Sequence, residues 1–150
     1  MRAVHASIEI NVTPEGVLDA FTEFNLLQDW WGVERALIEK RDGGVYTLAW
    51  GITDAGFKYI SSGTIGSYEP GSHLDIINLV YLNAEKPPLG PMSLSVRVKS
   101  SPNGTFLDLT QDGYQSGETW DWYYEAVKTA WPAVLVELKK YLEGKSEETA

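Results

Sequence analysis

The sequence predicts an α+β domain in which a curved antiparallel β-sheet wraps around a long C-terminal α-helix. Apolar and polar residues alternate with the period of strands over most of the chain up to about residue 111. Turns rich in Gly, Pro, Asp and Asn separate these strands at short intervals, which is typical of an antiparallel meander. A long amphipathic stretch, residues 119–143, follows the last strand and supplies the helix.

The first strand and two short helices are predicted from the opening residues. Residues 4–12 alternate between apolar and polar side chains, as a half-buried strand does. Residues 13–15, Thr-Pro-Glu, begin a helix, because threonine caps it, proline suits its first position and glutamate favours its positive end. Residues 24–31 predict a second short helix, which Gly32 ends.

Six further strands are predicted between residues 33 and 111. Strong turn signals separate them, for example Asp-Gly-Gly at residues 42–44 and Ser-Pro-Asn-Gly at residues 101–104. The connection 82–91 contains three prolines and is predicted to be a stiff, exposed loop. The predicted strands lie near residues 33–39, 44–50, 57–68, 73–81, 92–100 and 105–111.

The terminal helix is predicted over residues 119–143, with Thr119 as its cap and Gly144 as its end. Its apolar residues recur at spacings of three and four, which indicates a broad buried stripe. Pro132 interrupts the stripe without shifting its phase. We therefore expect a bend at this proline and not the end of the helix.

Length and composition favour one domain, residues 1–144, followed by a frayed polar tail, residues 145–150. The chain of 150 residues contains no cysteine, which excludes disulfides and thiolate chemistry and suits a reducing compartment. We find no pattern of a signal peptide or of a membrane span, and we expect a cytoplasmic protein.

The charge balance argues against nucleic acid as a partner. The formal net charge is −9, whereas binding to phosphates depends on an excess of Lys and Arg. The two histidines, His5 and His73, lie on different predicted strands and match no metal-ligand spacing. The sequence therefore predicts no metal, no cofactor and no nucleic-acid partner. We expect the protein to be a monomer or a homodimer.

Six segments in a fixed order point to a family. They are INVTPEGVLDAFTE (10–23), DWWG (29–32), GGVYTLAW (43–50), SGTIGSYEPGSHLDI (62–76), GTFLDLTQDGY (104–114) and AWPAVLVELKKYLE (130–143). With these six segments in this order, the chain resembles the START-like superfamily, also called SRPBCC or Bet v 1-like. Within it, the chain looks like the branch named for the activator of the heat-shock-protein-90 ATPase. The resemblance implies a helix-grip fold with an internal cavity for an apolar ligand.

The aromatic residues are the best candidates for a binding site. The chain has 6 Trp and 8 Tyr, and aromatics this dense serve cores, ligand pockets or interfaces. We predict a largely enclosed cavity of about 300–1,000 Å³, the usual size of a ligand site, holding a small hydrophobic or amphipathic molecule. Its predicted residues are Trp31, Tyr46, Trp50, Tyr124 and Trp131, then Tyr59 and Tyr81, with Asn78 and Gln111 to orient a polar group.

Two other functions stay open at this point. A cyclase- or hydrolase-like enzyme would need an acid or base inside the same cavity, with Asp29, His73, Glu118 and Asp121 as candidates. No residue is assigned as catalytic, because none of these groups lies in a recognisable catalytic motif. An interaction module would instead present its aromatic residues as an exposed patch.

Overall fold

The computed structural model describes residues 2–149, and it describes the surroundings of side chains as far as residue 145. The chain forms one seven-stranded sheet and three helices within these residues. In chain order the elements are β1 (Ala3–Ile10), α1 (Pro14–Asp19), α2 (Phe24–Trp31), β2 (Arg35–Ile38), β3 (Val45–Trp50), β4 (Tyr59–Glu69), β5 (His73–Asn83), β6 (Leu89–Ser101), β7 (Gly104–Asp112) and α3 (Glu118–Thr149).

The sheet is curved and antiparallel throughout, with strand order β1-β7-β6-β5-β4-β3-β2. Strands β2 to β7 therefore pair with their neighbours in sequence, and β1 joins the free edge of β7. Alternation sets the faces: Leu94, Val96 and Val98 of β6 are buried, while Arg97 and Lys99 are exposed. The predicted α+β fold class, with two short helices after the first strand, is confirmed.

The short helices begin and end as their sequences predict. The backbone N–H of Gly16 donates to Thr13 Oγ1 at 3.1 Å, so threonine caps α1. Helix α2 ends at Gly32, whose φ of 72° lies in the left-handed region that glycine adopts most readily. These two helices place Phe21 and the Trp30-Trp31 pair against the sheet and α3.

Helix α3 is longer than predicted at both ends. It begins at Glu118, so Thr119 lies inside the first turn and is not the cap. Gly144 does not end it, because its backbone stays helical and does not adopt the positive φ of a glycine C-cap. Ala150 and the side chains of residues 146–149 lie outside the described part of the chain, so fraying of the tail stays a prediction.

The loop predicted over residues 82–91 is shorter than expected. Strand β5 continues to Asn83 and β6 begins at Leu89, which leaves only residues 84–88 as the connection. Pro91 lies within β6, where the register with β5 is irregular between the pairs Leu79↔Met92 and Tyr81↔Leu89. A strand accommodates proline at such an irregularity, because the missing N–H breaks no regular ladder bond there.

Side chains of α3 cover the open edge of β1. Lys139 Nζ donates to the carbonyl oxygen of Glu9 at 2.8 Å, and the backbone N–H of Asn11 donates to Glu143 Oε2 at 2.8 Å. Lys139 also pairs with Glu143 at 2.7 Å, one helical turn away. These contacts satisfy strand-edge groups and fix α3 across the sheet.

Pro132 lies inside α3 and is exposed. We expect the helix axis to bend by more than about 20° near residues 128–132, because proline removes one backbone bond and crowds the preceding turn. The axes of the segments before and after the proline, measured in a crystal structure or by residual dipolar couplings, check this. Pro132→Ala should reduce the bend, and collinear segments in the unmodified chain would contradict the expectation.

Candidate functional site

A cavity of about 400 Å³ lies between α3 and the inner face of the sheet. Strands β3 to β7, together with α2, α3 and Phe21 from the connection between α1 and α2, contribute the residues around it. Its volume falls within the range expected from the sequence and within the usual range for small-molecule sites. The side chains around it are mostly aromatic and aliphatic.

Three tryptophans form one side of the cavity, hereafter the tryptophan wall (Trp31, Trp50 and Trp131). The Trp31 ring lies 5.2 Å from that of Trp50 and 5.6 Å from that of Trp131, measured between centroids. Trp30 stacks on Trp31 at 5.0 Å and also contacts Phe21 edge-on at 5.6 Å. Such offset and edge-on contacts stabilise aromatic clusters, so this wall is a fixed surface.

Three tyrosines form another side, hereafter the tyrosine wall (Tyr59, Tyr81 and Tyr123). Tyr81 stacks between the other two, at 6.2 Å from Tyr59 and 4.8 Å from Tyr123. Tyr123 is 8% exposed, whereas Tyr59 is 40% exposed. The tyrosine wall therefore runs from the interior to the surface, and the cavity is less enclosed than the sequence analysis expected.

Most polar tips of the aromatic lining bind the protein itself. The indole N–H of Trp50 donates to the carbonyl oxygen of Trp31 at 3.1 Å. The Tyr46 hydroxyl donates to the carbonyl oxygen of Phe21 at 2.6 Å, and burial raises the pKa of Tyr46. These bonds hold the rings in place and turn their apolar faces toward the cavity.

Gln111 organises the polar part of the cavity. It is 3% exposed, and its Oε1 accepts a hydrogen bond from the Trp131 indole N–H at 2.8 Å. Its Nε2 donates to the Tyr123 hydroxyl at 3.1 Å and approaches Met92 Sδ at 3.5 Å. Burial raises the pKa of Tyr123 to about 12, although the bond from Gln111 acts in the opposite direction. The Tyr123 hydroxyl therefore keeps its proton at neutral pH.

Seven of the nine residues predicted from the sequence lie around this cavity, and the other two, Asn78 and Tyr124, do not. Asn78 is exposed and has a positive φ of 52°, at an irregularity between Ile76 and Leu79 that turns it away from the cavity. The residues that do line the cavity are Trp31, Tyr46, Trp50, Tyr59, Tyr81, Gln111 and Trp131.

Tyr124 does not line the cavity, and its neighbour Tyr123 does. The Tyr124 ring packs against Tyr114 at 5.2 Å and lies under the guanidinium of Arg2 at 4.8 Å. One residue along a helix rotates the side chain by about 100°, so adjacent tyrosines face different surroundings. Tyr123 precedes the lining residues Val127 and Trp131 at spacings of four, which is the sequence signal that would have found it.

The four acid-base candidates lie outside the cavity lining. Asp29 accepts a hydrogen bond from a tyrosine of α3 at 3.1 Å, and Asp121 pairs with Arg2 at 2.8 Å. His73 contacts two serine hydroxyls, at 2.7 and 3.0 Å, and Glu118 is exposed in the first turn of α3. Each of these groups contacts other residues of the protein or faces solvent, and none of them lines the cavity.

The described residues contain neither a cluster of metal-binding side chains nor a helix that could span a membrane. In that part of the chain, no group of three or more His, Asp or Glu side chains is arranged to hold a metal ion. None of the helices there is long and apolar enough to cross a membrane.

Solved structures show the same fold. A crystal structure of a protein from Mesorhizobium loti has a TM-score of 0.74 at 20% identity, over 95% of this chain and 97% of that one. A solution structure from Cytophaga hutchinsonii has a TM-score of 0.73 at 19% identity, over 98% and 97% of the two chains. The solution structure of the Aha1 dimer from Colwellia psychrerythraea has a TM-score of 0.70 at 18% identity, over 95% and 97%.

No curated protein matches the chain. The sequence model of one family, described as activator of Hsp90 ATPase homolog 1-like protein, matches residues 11–143. This range contains α1, α2, strands β2 to β7 and most of α3, and so it includes the elements that surround the cavity. The chain therefore belongs to the activator of Hsp90 ATPase homolog 1-like family and has the SRPBCC fold.

Proposed function

We propose that the protein binds a small hydrophobic or amphipathic molecule in the cavity between α3 and the sheet. The observation that carries this proposal is a cavity of about 400 Å³ lined by two aromatic walls. Ligand sites are typically concave, mostly apolar and furnished with a few placed polar groups, and this cavity has all three properties.

The rigidity of the lining supports binding over simple core packing. A void in a core removes packing contacts and lowers stability in proportion to its volume. The side chains of protein interiors therefore normally pack so that few voids remain. Here the rings of Tyr46, Trp50 and Trp131 are each held by a hydrogen bond to the protein, in positions that keep the space open. A preformed site of this kind loses little entropy when a ligand enters.

Ligand binding can be tested with N-phenyl-naphthylamine, a neutral probe that fluoresces in apolar surroundings. We expect one probe to bind per chain, with a dissociation constant in the micromolar range, about −8 kcal/mol. Val127→Trp should abolish binding, because residue 127 lines the cavity on α3 and a larger side chain would fill it. Native mass spectrometry of the purified chain would show directly what it already carries.

The matched control is Val136→Trp, which places the same side chain on the exposed side of the same helix. It should leave probe binding unchanged. Equal binding by the two variants would place the probe elsewhere on the protein and contradict the proposal, as would the absence of binding to the unmodified chain. Circular dichroism confirms that each variant is folded.

No specific observation favours the enzyme or the interaction module as a second candidate. The enzyme needs an acid or base at the cavity, and the candidate groups lie elsewhere. The interaction module needs an exposed aromatic patch, whereas the most exposed aromatic side chains, Phe24, Tyr59 and Trp122, are only 39–40% exposed. We propose a monomer or homodimer as the assembly, which the dimer of the Colwellia protein supports.

A further inference from the structure

The cavity offers no charge to a ligand. Among the described residues that line it, none carries a charged side chain, and its polar groups are hydroxyls, indole N–H groups and one amide. Moving an ion from water into such surroundings without a counter-charge costs far more than moving a neutral molecule. The net charge of −9 adds a longer-range repulsion for anions.

Gln111 can be oriented unambiguously by its contact with Trp131. An indole N–H only donates, so the amide atom 2.8 Å from Trp131 Nε1 must be the oxygen. The amide nitrogen therefore faces Tyr123, and at 3.1 Å it donates to the Tyr123 hydroxyl. Tyr123 is the acceptor in this contact, so its own hydrogen is not used there.

Within the described part of the chain, the Tyr123 hydroxyl accepts the bond from Gln111 and makes no hydrogen bond as a donor. Both Tyr123 and Gln111 line the cavity, so this hydroxyl lies at its polar end. Four other residues with hydroxyls line the cavity, namely Tyr46, Tyr59, Ser61 and Tyr81. The Tyr46 hydroxyl already donates to Phe21, and Tyr59 lies near the surface. Tyr123 is thus a buried donor with one unused hydrogen beside an apolar space.

We propose that the cavity selects uncharged ligands that carry a hydrogen-bond acceptor, such as a carbonyl oxygen, and that the Tyr123 hydroxyl donates to this acceptor. This inference rests on the proposed function and specifies its ligand class. The tryptophan wall contacts the apolar body of the ligand, and Gln111 acts as a positioning residue that directs the Tyr123 proton toward it. The acceptor replaces the partner that the buried hydroxyl lacks, and this contact is the source of the selectivity.

Four naphthalene derivatives of similar size test the inference, with dissociation constants measured by NMR titration of the full chain. They are methyl naphthyl ketone, ethylnaphthalene, naphthoate and naphthylmethylammonium. The ketone should bind most tightly, and ethylnaphthalene should bind about two- to tenfold more weakly, the range for one neutral hydrogen bond. Both ions should bind at least about tenfold more weakly than the ketone.

Tyr123→Phe separates the hydrogen bond from the shape of the cavity. It should weaken ketone binding about two- to tenfold and leave ethylnaphthalene binding unchanged, which also shows that the variant is folded with its cavity intact. Tyr124→Phe is the matched control, because it removes a hydroxyl from the adjacent residue of α3, whose ring packs against Tyr114 and does not line the cavity. It should leave the affinities for both probes unchanged.

Several outcomes overturn the inference. Binding of naphthoate as tight as that of the ketone would remove the charge selectivity. Tighter binding of the cation than of the ketone would show that the net charge governs affinity. Equal losses for the ketone and ethylnaphthalene in Tyr123→Phe would show that only shape matters. If N-phenyl-naphthylamine binds and none of the four does, the ligand class is wrong and the proposed function stands; if it fails to bind as well, both fail.

Discussion

Trp131→Ala is expected to lower the free energy of unfolding by about 3–5 kcal/mol, as truncations of large buried aromatics do. Trp131 is 7% exposed, its ring contacts Trp31, and its N–H donates to Gln111. Alanine would remove these contacts, leave the Gln111 oxygen without its donor, and enlarge a space that already exists. Neighbouring side chains cannot easily close this space, because their own hydrogen bonds hold them around it.

Urea unfolding of the purified variants measures this loss. Trp122→Ala is the control on the same helix, since Trp122 is 40% exposed, and it should cost about 1 kcal/mol or less. Trp131→Phe should fall between the two, because it keeps an aromatic ring and loses only part of the packing and the hydrogen bond. If Trp131→Ala proved no more costly than Trp122→Ala, the tryptophan wall would not contribute to the stability of the fold.

The features of the fold that depend on local pattern were predictable from the sequence. Alternation sets which face of each strand is buried, and turn residues set where strands reverse, so the antiparallel order followed directly. The errors lie where tertiary contacts decide. The sequence predicts Pro91 in a loop, but it lies in β6 where the register is irregular. The sequence also predicts that Gly144 ends α3, but its backbone stays helical.

The candidate site was predictable to the same extent and for the same reasons. On β3, alternation places Tyr46 and Trp50 on one face, so their inward direction follows from the strand alone. On α3, Tyr123 and Tyr124 are adjacent and aromatic, and only the spacing to later residues distinguishes them. The outward direction of Asn78 depends on an irregularity between β5 and β6 that no local pattern indicates.

Some properties of the site are not encoded in any local pattern. The position of Gln111 on the inward face could be inferred from β7 itself, because Leu107, Leu109 and Gln111 are spaced two residues apart and share one face of the strand. Its bonds to Trp131 and Tyr123 depend on how α3 lies across the sheet. The polar end of the cavity therefore arises from packing between distant segments of the chain, and only the structure could show it.

Gly104→Ala is expected to destabilise the protein by at least about 3 kcal/mol, combining backbone strain with overpacking. Gly104 begins β7 with a φ of 128°, a conformation that residues with a side chain rarely adopt. A Cβ placed there would overlap the carbonyl oxygen of Ile10 and lie 2.7 Å from Cα of Asn11. These are backbone atoms at the end of β1, so no side-chain rotation relieves the clash.

Gly117→Ala separates the two causes, because Gly117 has nearly the same φ, 129°, and a Cβ added to it would meet no other atom within 4 Å. It should show the backbone strain alone, about 1–3 kcal/mol. The excess loss in Gly104→Ala, measured by urea unfolding of both variants, then reports the clash with β1. Equal losses would mean that β1 moves aside at little cost. That result would conflict with the hydrogen bonds that Lys139 and Glu143 make to Glu9 and Asn11, which fix this end of β1 under α3.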